Sequence, residues 1–152
     1  MGQPLPDRLN RLRTTTRIRA RGTRCVVALK RAYDPAAAGD GTRVLVDRLW
    51  PRGLSKDQLP VDFWLKDVAP SNALRRWYGH ESSRWKSFAA KYRSELAQRT
   101  DLLRLLDELR RRGRVTLLYG AHDDARNNAV VLREVIEERC FAGKRAQKDT
   151  TR

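Results

Sequence analysis

The sequence has few of the residues and none of the short motifs that mark the common enzyme classes. It contains two cysteines, Cys25 and Cys140, and two histidines, His80 and His122, and none of the four stands at the spacing of a zinc site. It has no G-x-x-x-x-G-K-[ST] phosphate loop, no G-x-G-x-x-G turn and no G-x-S-x-G elbow. The sequence therefore gives no reason to expect a metal, and the usual signatures of nucleotide binding and acyl transfer are missing.

Long apolar runs are also lacking. No stretch approaches the roughly 20 apolar residues that span a bilayer, and the first residues lack the apolar centre of a signal peptide. We therefore expect a cytoplasmic protein that does not associate with membranes. In a chain of this size a disulfide is not needed for stability, so Cys25 and Cys140 are expected to be partly buried free thiols.

Positive charge is abundant, with a formal net charge of +15 over 152 residues. Residues 1–24 carry seven arginines against one aspartate and have no apolar periodicity, which predicts a disordered basic extension. Residues 142–152 are interpreted as a basic C-terminal tail. Such segments attract polyanions without specificity, so non-specific nucleic-acid binding through the tails is one predicted property.

Residues 25–141 are predicted to form a single α/β domain, with a three-layer fold in which helices flank a short, mostly parallel sheet. The predicted strands lie at 25–30, 43–47 and 115–119. The link between the first two strands is too short for a helical crossover, so they are either antiparallel or parallel and not adjacent. The predicted helices and helical turns lie at 55–59, 72–78, 82–97, 100–112 and 125–139.

Several individual positions follow from this pattern. Ser71 is a favourable N-cap for the helix that ends before Gly79, and Asp124 is the expected N-cap of the last helix. The predicted core contains apolar residues of two strands and of the long helices, namely Leu45, Phe88, Tyr92, Leu117, Leu118, Val131 and Leu132.

Long motifs within the domain resemble the YeaO-like family, which is classed as domain of unknown function 488. These are KRAYDP at 30–35, DGTRVLVDRLWPRG at 40–53, PSNALRRW at 70–77, and the paired asparagines Asn127 and Asn128. The resemblance covers roughly residues 26–138 and implies an α/β fold without implying a reaction. The chain departs from the family in its residues 1–24, and in Arg126, where the family often has histidine.

The candidate site follows from the rule that ligands of open α/β sheets bind beyond the carboxyl ends of the strands. If the three predicted strands run the same way, their ends converge with the loop at 48–53 and the start of the last helix. Arginine side chains and helix N-termini are suited to phosphate or carboxylate. The predicted ligand-binding residues for a small anionic ligand are Arg48, Trp50, Arg52, Tyr119, Asn127 and Asn128.

Each candidate also has a simpler structural interpretation. Arg48 could only pair with Asp47, and Trp50 is more often part of a core than a stacking surface. If the protein is an enzyme, Asp34, Asp47 and His122 are the candidate acids and bases. Neither enzymatic activity, a cofactor nor an oligomeric state is determined by these residues.

Three functions are compatible with the residues alone. The first is a small α/β protein that binds a phosphate or nucleotide-like anion. The second is a nucleic-acid-binding or regulatory protein that uses its tails and a basic surface comprising Arg75, Arg76, Arg84, Lys86 and Lys91. The third is an interaction module in which the arginines only pair with acids.

Overall fold

The fold is that of a computed structural model, which describes residues 25–150. The predicted disordered extension at 1–24 and the end of the predicted C-terminal tail at 151–152 lie outside the described residues. Within 25–150, no helix combines the length and the apolar character needed to cross a membrane.

Four parallel strands form one sheet in the order β1-β4-β2-β3. They are β1 (Ala28–Arg31), β2 (Thr42–Leu45), β3 (Phe63–Trp64) and β4 (Val115–Tyr119). The last strand lies between the first two, with Leu117 opposite both Leu29 and Val44. The predicted α/β class with a parallel sheet is confirmed, and β1 and β2 are parallel and not adjacent.

Four α-helices complete the described part of the chain, namely α1 (Asn72–Tyr78), α2 (Trp85–Ala97), α3 (Thr100–Arg112) and α4 (Asn128–Asp149). The ends predicted for α1 are confirmed. The Ser71 hydroxyl accepts a hydrogen bond from the Leu74 N–H, and Gly79 ends the helix in the left-handed conformation, with φ 50°. Helix α2 starts later than predicted because residues 82–84 form a 3-10 turn.

Two other predicted boundaries are wrong. Residues 55–59 form a single turn rather than a helix, closed by hydrogen bonds between Ser55 and Gln58. The last helix runs from 128 to 149 instead of 125 to 139, so most of the predicted C-terminal tail is helical. Alanine, lysine, arginine and glutamine favour helix over this stretch, and the cost of a single interior glycine, about 1 kcal/mol, does not stop it.

All four helices pack on one face of the sheet. The core on this face joins inward residues of β2 and β4 with residues of every helix, for example Val44, Leu117, Phe88, Leu106 and Leu132. Tyr92, fully buried, donates a hydrogen bond from its hydroxyl to the Val68 carbonyl at 2.7 Å. The core positions predicted from the sequence are buried as expected.

The opposite face of the sheet is covered by irregular chain. Residues 50–61 fold back over Leu45 and Leu118, and two indoles, Trp50 of this loop and Trp64 of β3, meet edge to face there with ring centres 5.3 Å apart. The third layer of the fold is therefore a loop, whose shape depends on a turn at Pro51–Leu54 with Gly53 at φ 79°.

The two cysteines form a disulfide, so the expectation of free thiols is wrong. Cys25 precedes β1, Cys140 lies on α4, and their Cα atoms are 5.6 Å apart, within the range that a disulfide requires. Helix α4 packs against β1, and this packing brings together two residues separated by 115 positions in sequence.

Candidate functional site

Asp47 stands just beyond the carboxyl end of β2 and links three parts of the fold. One carboxylate oxygen accepts the Gly120 N–H at 2.8 Å, at the end of β4. The other accepts the side-chain amide of Asn128 at 3.1 Å, and the same amide nitrogen donates to the Val46 carbonyl at 3.0 Å. Asp47 therefore holds the start of α4 against the ends of the two central strands.

The surroundings of Asp47 favour its neutral form. Burial raises the pKa of this carboxyl above its ordinary value. The hydrogen bonds from Gly120 and Asn128 and the positive charges of Arg75 and His80 lower it, but burial outweighs them. Glycine at position 120 permits the close approach, since a Cβ there would lie 3.2 Å from the Asp47 carboxylate.

Asn127 and Asn128, both predicted to bind ligand, have structural partners. Asn127 is the N-cap of α4, since its side-chain oxygen accepts the Val130 N–H at 3.1 Å and its amide donates to the Asp123 carbonyl. Asp123 in turn accepts the N–H groups of Ala125 and Arg126. This local turn competes with helix at 125–127, so the predicted cap at Asp124 is wrong.

Arg48 is half-buried and bonds mainly to backbone oxygens. Its guanidinium donates to the carbonyls of Ala69 and Pro70, each at 3.3 Å, and stands 3.8 Å from the exposed carboxylate of Asp67. The alternative interpretation, in which Arg48 pairs with Asp47, is wrong. Arg99 also donates to the Ala69 carbonyl, so two guanidinium groups meet at the turn before α1.

Trp50 and Arg52 lie on the loop that covers the other face of the sheet. Trp50 packs in the core of that face and donates its indole N–H to the Leu54 carbonyl at 2.6 Å. Arg52 is exposed, and its guanidinium has no hydrogen bond or ion pair within residues 25–150. The Tyr33 hydroxyl donates to the Arg52 carbonyl at 2.9 Å and so joins the loop to the end of β1.

The remaining predicted residues are spread along the same edge. Tyr119 is buried at the end of β4, where burial raises the pKa of its hydroxyl. Asp34 and His122 are both exposed, and His122 lies 3.4 Å from the guanidinium of Arg31 through its Nδ1 atom. Between residues 25 and 150, no hydrogen bond or ion pair joins any two of Asp34, Asp47 and His122.

Four basic residues of this edge, three arginines and a histidine, were not predicted to belong to it. Arg31 donates to the Ala121 carbonyl at 3.1 Å, and Arg75 donates to the Asn72 amide oxygen at 3.4 Å. The Arg126 guanidinium has no partner in the described chain, and His80 has a positive φ of 58° beside Tyr78. A usable signal was present for Arg31 and His80, because each adjoins an element end predicted from the sequence.

The arrangement as a whole offers positive charge, and the residues that the structure describes offer no metal site. Across residues 25–150, no three His, Cys, Asp or Glu side chains come together as metal ligands would. Arg31, Arg48 and Arg75 bond mainly to carbonyl or amide oxygens, which satisfy their N–H groups but do not neutralise their charge.

The chain is a small α/β protein, with a parallel sheet, helices packed on one face of it, and Asp47 joining the start of α4 to the strand ends. Comparison with known sequences identifies its family. The family described as the inactive DUF488-N3 subclade matches residues 26–151, and the chain belongs to it. The chain is 42% identical over 106 residues to the uncharacterized protein YeaO of Escherichia coli (strain K12), covering 70% of this chain and 92% of YeaO.

Mycobacterial proteins are similarly related. Uncharacterized proteins of Mycobacterium tuberculosis (strain ATCC 25618 / H37Rv) and Mycobacterium bovis (strain ATCC BAA-935 / AF2122/97) are each 43% identical over 113 residues. The match covers 74% of this chain and 95% of each relative. No solved structure matches the chain significantly. The resemblance to the YeaO-like family inferred from the motifs is confirmed.

Proposed function

We propose that the carboxyl edge of the sheet binds a small anion, such as a phosphorylated or nucleotide-like molecule, without transforming it. The observation that carries this proposal is the set of arginines at the edge that lack acidic partners. Arg52 and Arg126 have exposed guanidinium groups with no partner within the described residues, and Arg31 bonds to a carbonyl and an imidazole. Their charge is available to an anion.

Two further features support binding at this edge. The 22-residue helix α4 starts here, so the positive end of its dipole faces the same region. Asp47 fixes the start of that helix to the sheet, which makes the surface rigid before any ligand arrives. The description of the family as inactive agrees with binding in the absence of catalysis.

The test is a titration with a nucleoside monophosphate, followed by thermal unfolding and by amide NMR shifts. We expect saturable stabilisation and shifts confined to residues 31–34, 48–53 and 120–127. Arg52→Ala and Arg126→Ala should each weaken binding about tenfold, the loss of roughly one charge-assisted hydrogen bond, and leave the melting temperature of the free protein unchanged.

The matched control is Arg104→Ala, an exposed arginine on α3 without a partner in the described chain. It removes the same charge at a residue outside the proposed site and should leave binding unchanged. Equal losses in all three variants would show that the ligand responds only to net charge, and the proposal of a localised site would then be wrong.

A second candidate function is nucleic-acid binding by the surface of α1 and α2. Trp77 lies between two cations, with Lys91 Nζ 3.8 Å and the Arg84 guanidinium carbon 5.4 Å from its ring centre. Arg75, Arg76 and Lys86 are exposed nearby in sequence. Binding of this kind should weaken steeply with salt and favour an oligonucleotide over the monophosphate, whereas the anion site should show the reverse preference.

The cytoplasmic location and the independence of the domain from residues 1–24 remain proposals. The Cys25–Cys140 disulfide argues against a cytoplasmic location, because disulfides are rare in reducing compartments such as the cytoplasm. Alkylation of thiols in freshly lysed cells, followed by mass measurement, would report whether Cys25 and Cys140 are joined in the cell.

A further inference from the structure

A cavity lies between α3 and α4, beside the disulfide and apart from the proposed site at the carboxyl edge of the sheet. Its volume is about 390 Å³, within the range of small-ligand sites. Among the described residues, its wall contains four cationic side chains and one acidic side chain, which are Arg110, Arg111, Arg139, Lys144 and Asp107. The wall therefore carries net positive charge, although Arg111 stands 3.9 Å from the exposed carboxylate of Glu108.

Asp107 and Arg110 each have buried side-chain atoms that lack a hydrogen-bond partner within residues 25–150. Asp107 accepts Arg139 Nε and Nη2 on one carboxylate oxygen, each at 3.0 Å, while its other oxygen is buried without a partner among residues 25–150. Arg110 is only 8% exposed, and its Nε and Nη1 atoms are buried without partners in the described chain. A buried donor and a buried acceptor are thus both unsatisfied one helical turn apart, which is a costly arrangement.

The electrostatics of Arg110 also indicate that its positive charge is poorly compensated. Burial lowers the pKa of the Arg110 guanidinium and outweighs the nearby negative charge of Asp107, which raises it. Arg139 already neutralises Asp107, and within residues 25–150 no other acidic side chain pairs with Arg110. An anion in the cavity would supply that countercharge.

We propose that this cavity binds a tetrahedral oxyanion that keeps a proton, namely hydrogen phosphate or the phosphoryl group of a monoester. Its ionised oxygens would accept from Arg110, and its P–OH group would donate to the free oxygen of Asp107. Fully ionised sulfate offers acceptors only, and it would meet the Asp107 carboxylate without a proton between them. The pairing of an acceptor and a donor in the wall therefore selects phosphate over sulfate.

Binding requires the buried, unsatisfied atoms of both Arg110 and Asp107 to become accessible to the ligand. Arg110 Nε and Nη1 lie inside the cavity wall, so the guanidinium must turn toward the cavity to reach a ligand. That rotation breaks no hydrogen bond of these two atoms, because they have none within the described residues. Arg111 and Lys144 are exposed at the same cavity and add positive charge at its opening.

The experiment is a titration of the full chain at about pH 6, where a phosphate monoester keeps a proton on roughly half of its molecules. Phosphate, sulfate and methyl phosphate are compared at equal ionic strength by thermal unfolding and by the NMR signal of the Arg110 Nε–H group. That signal is assigned by its loss in Arg110→Met. We expect it to shift with phosphate or methyl phosphate and to shift at least tenfold more weakly with sulfate.

Three variants locate the effect. Arg110→Met should abolish the phosphate-dependent rise in melting temperature at this cavity while leaving the free protein as stable as before or more so, because a buried uncompensated charge is removed. Arg104→Met is the control with the same change of charge and should keep the full response. Arg126→Met tests the carboxyl edge separately and should leave the Arg110 signal responsive.

The outcomes are decisive in both directions. A response to methyl phosphate as strong as to phosphate supports the proposal and indicates a phosphorylated molecule as the ligand. An Arg110 signal that does not respond to phosphate overturns the proposal, even if the carboxyl edge binds its own ligand. An equal response to sulfate overturns the assignment of a protonated oxyanion, since Asp107 would then play no part in selection.

Discussion

Two aspartates stand at opposite ends of β2, and their environments differ in kind. Asp40, near the amino end, is held by Lys30 at 3.0 Å, by Arg43 and by the Ala37 N–H. Within residues 25–150, the hydrogen bonds to Asp47, at the carboxyl end, come only from the uncharged donors of Gly120 and Asn128. The first carboxylate is neutralised by cations, and the second is not.

The pKa values of the two groups shift in opposite directions for this reason. Burial alone would raise the pKa of Asp40, but the hydrogen bonds from Ala37, Lys30 and Arg43 lower it to about 2. At Asp47 burial prevails, and the pKa is raised. Asp40 thus stabilises the fold at the amino end of β2, whereas Asp47 at the carboxyl end resists ionisation. The carboxyl end is the side on which ligands of such sheets bind.

The largest expected effect is at the amino end. Asp40→Asn would leave the Arg43 guanidinium, which is 8% exposed, without its acidic partner. We expect a loss on the order of 3 kcal/mol in the free energy of unfolding, since breaking a buried ion pair from one side is costly. Urea unfolding at pH 7 measures it, and a loss below about 1 kcal/mol would show that the ion cluster contributes little.

The pH dependence should separate the two ends. Asp40 has a lowered pKa, so its contribution to the free energy of unfolding is fully present above pH 3.8 and is lost as the pH falls toward about 2. Asp47 has a raised pKa, so its contribution is present below 3.8 and is lost as the pH rises through the raised value. On acidification, the stability advantage of the wild type over Asp40→Asn should therefore become smaller. The stability of the wild type relative to Asp47→Asn should increase. Parallel trends in urea unfolding from about pH 2 to pH 7 would contradict this.

A smaller effect is expected for Asp47→Asn at neutral pH. The substitution removes one acceptor but also removes a charge that burial disfavours, so we expect a change on the order of 1 kcal/mol or less. The start of α4 should loosen, which hydrogen exchange at residues 128–131 would report. A loss as large as that of Asp40→Asn would show that the Asp47 charge is required for folding.

The smallest effect is expected at an exposed ion pair, which sets the scale for the buried ones. Arg93 contacts Glu134 at 2.8 Å and Glu138 at 2.9 Å, linking α2 to α4 in contact with water. Arg93→Gln should cost less than about 1 kcal/mol, because solvent and side-chain entropy offset most of the attraction. A loss in urea unfolding comparable to that of Asp40→Asn would show that this pair fixes the position of α4.

The sequence predicted those features that depend on neighbouring residues. The cap at Ser71, the stop at Gly79 and the apolar face of α2 were all visible as short-range patterns. The role of Asn127 was harder to see, because Asp123, Asp124 and Asn127 are all good caps and only the hydrogen bonds of the loop decide among them. The end of α4 was predicted too early because high charge was interpreted as a tail.

Features that depend on distant parts of the chain were not predicted. No local signal indicates that Cys25 faces Cys140, that Arg48 reaches the carbonyls of residues 69 and 70, or that Trp50 packs on Trp64. The edge of the sheet was identified correctly as the place where strand ends converge. The partners of the arginines at this edge could not be predicted without the order of the strands, in which β4 lies between β1 and β2.

The bond between Cys25 and Cys140 also determines how the fold responds to mechanical load. It joins the residue just before the first strand to the last helix and closes a ring that contains the whole sheet. Tension applied to the two ends of the chain passes directly through this bond, so residues 26–139 carry none of it. A single cut of the backbone within the ring would likewise leave the two pieces joined. Only reduction of the bond would expose the sheet to pulling from its ends.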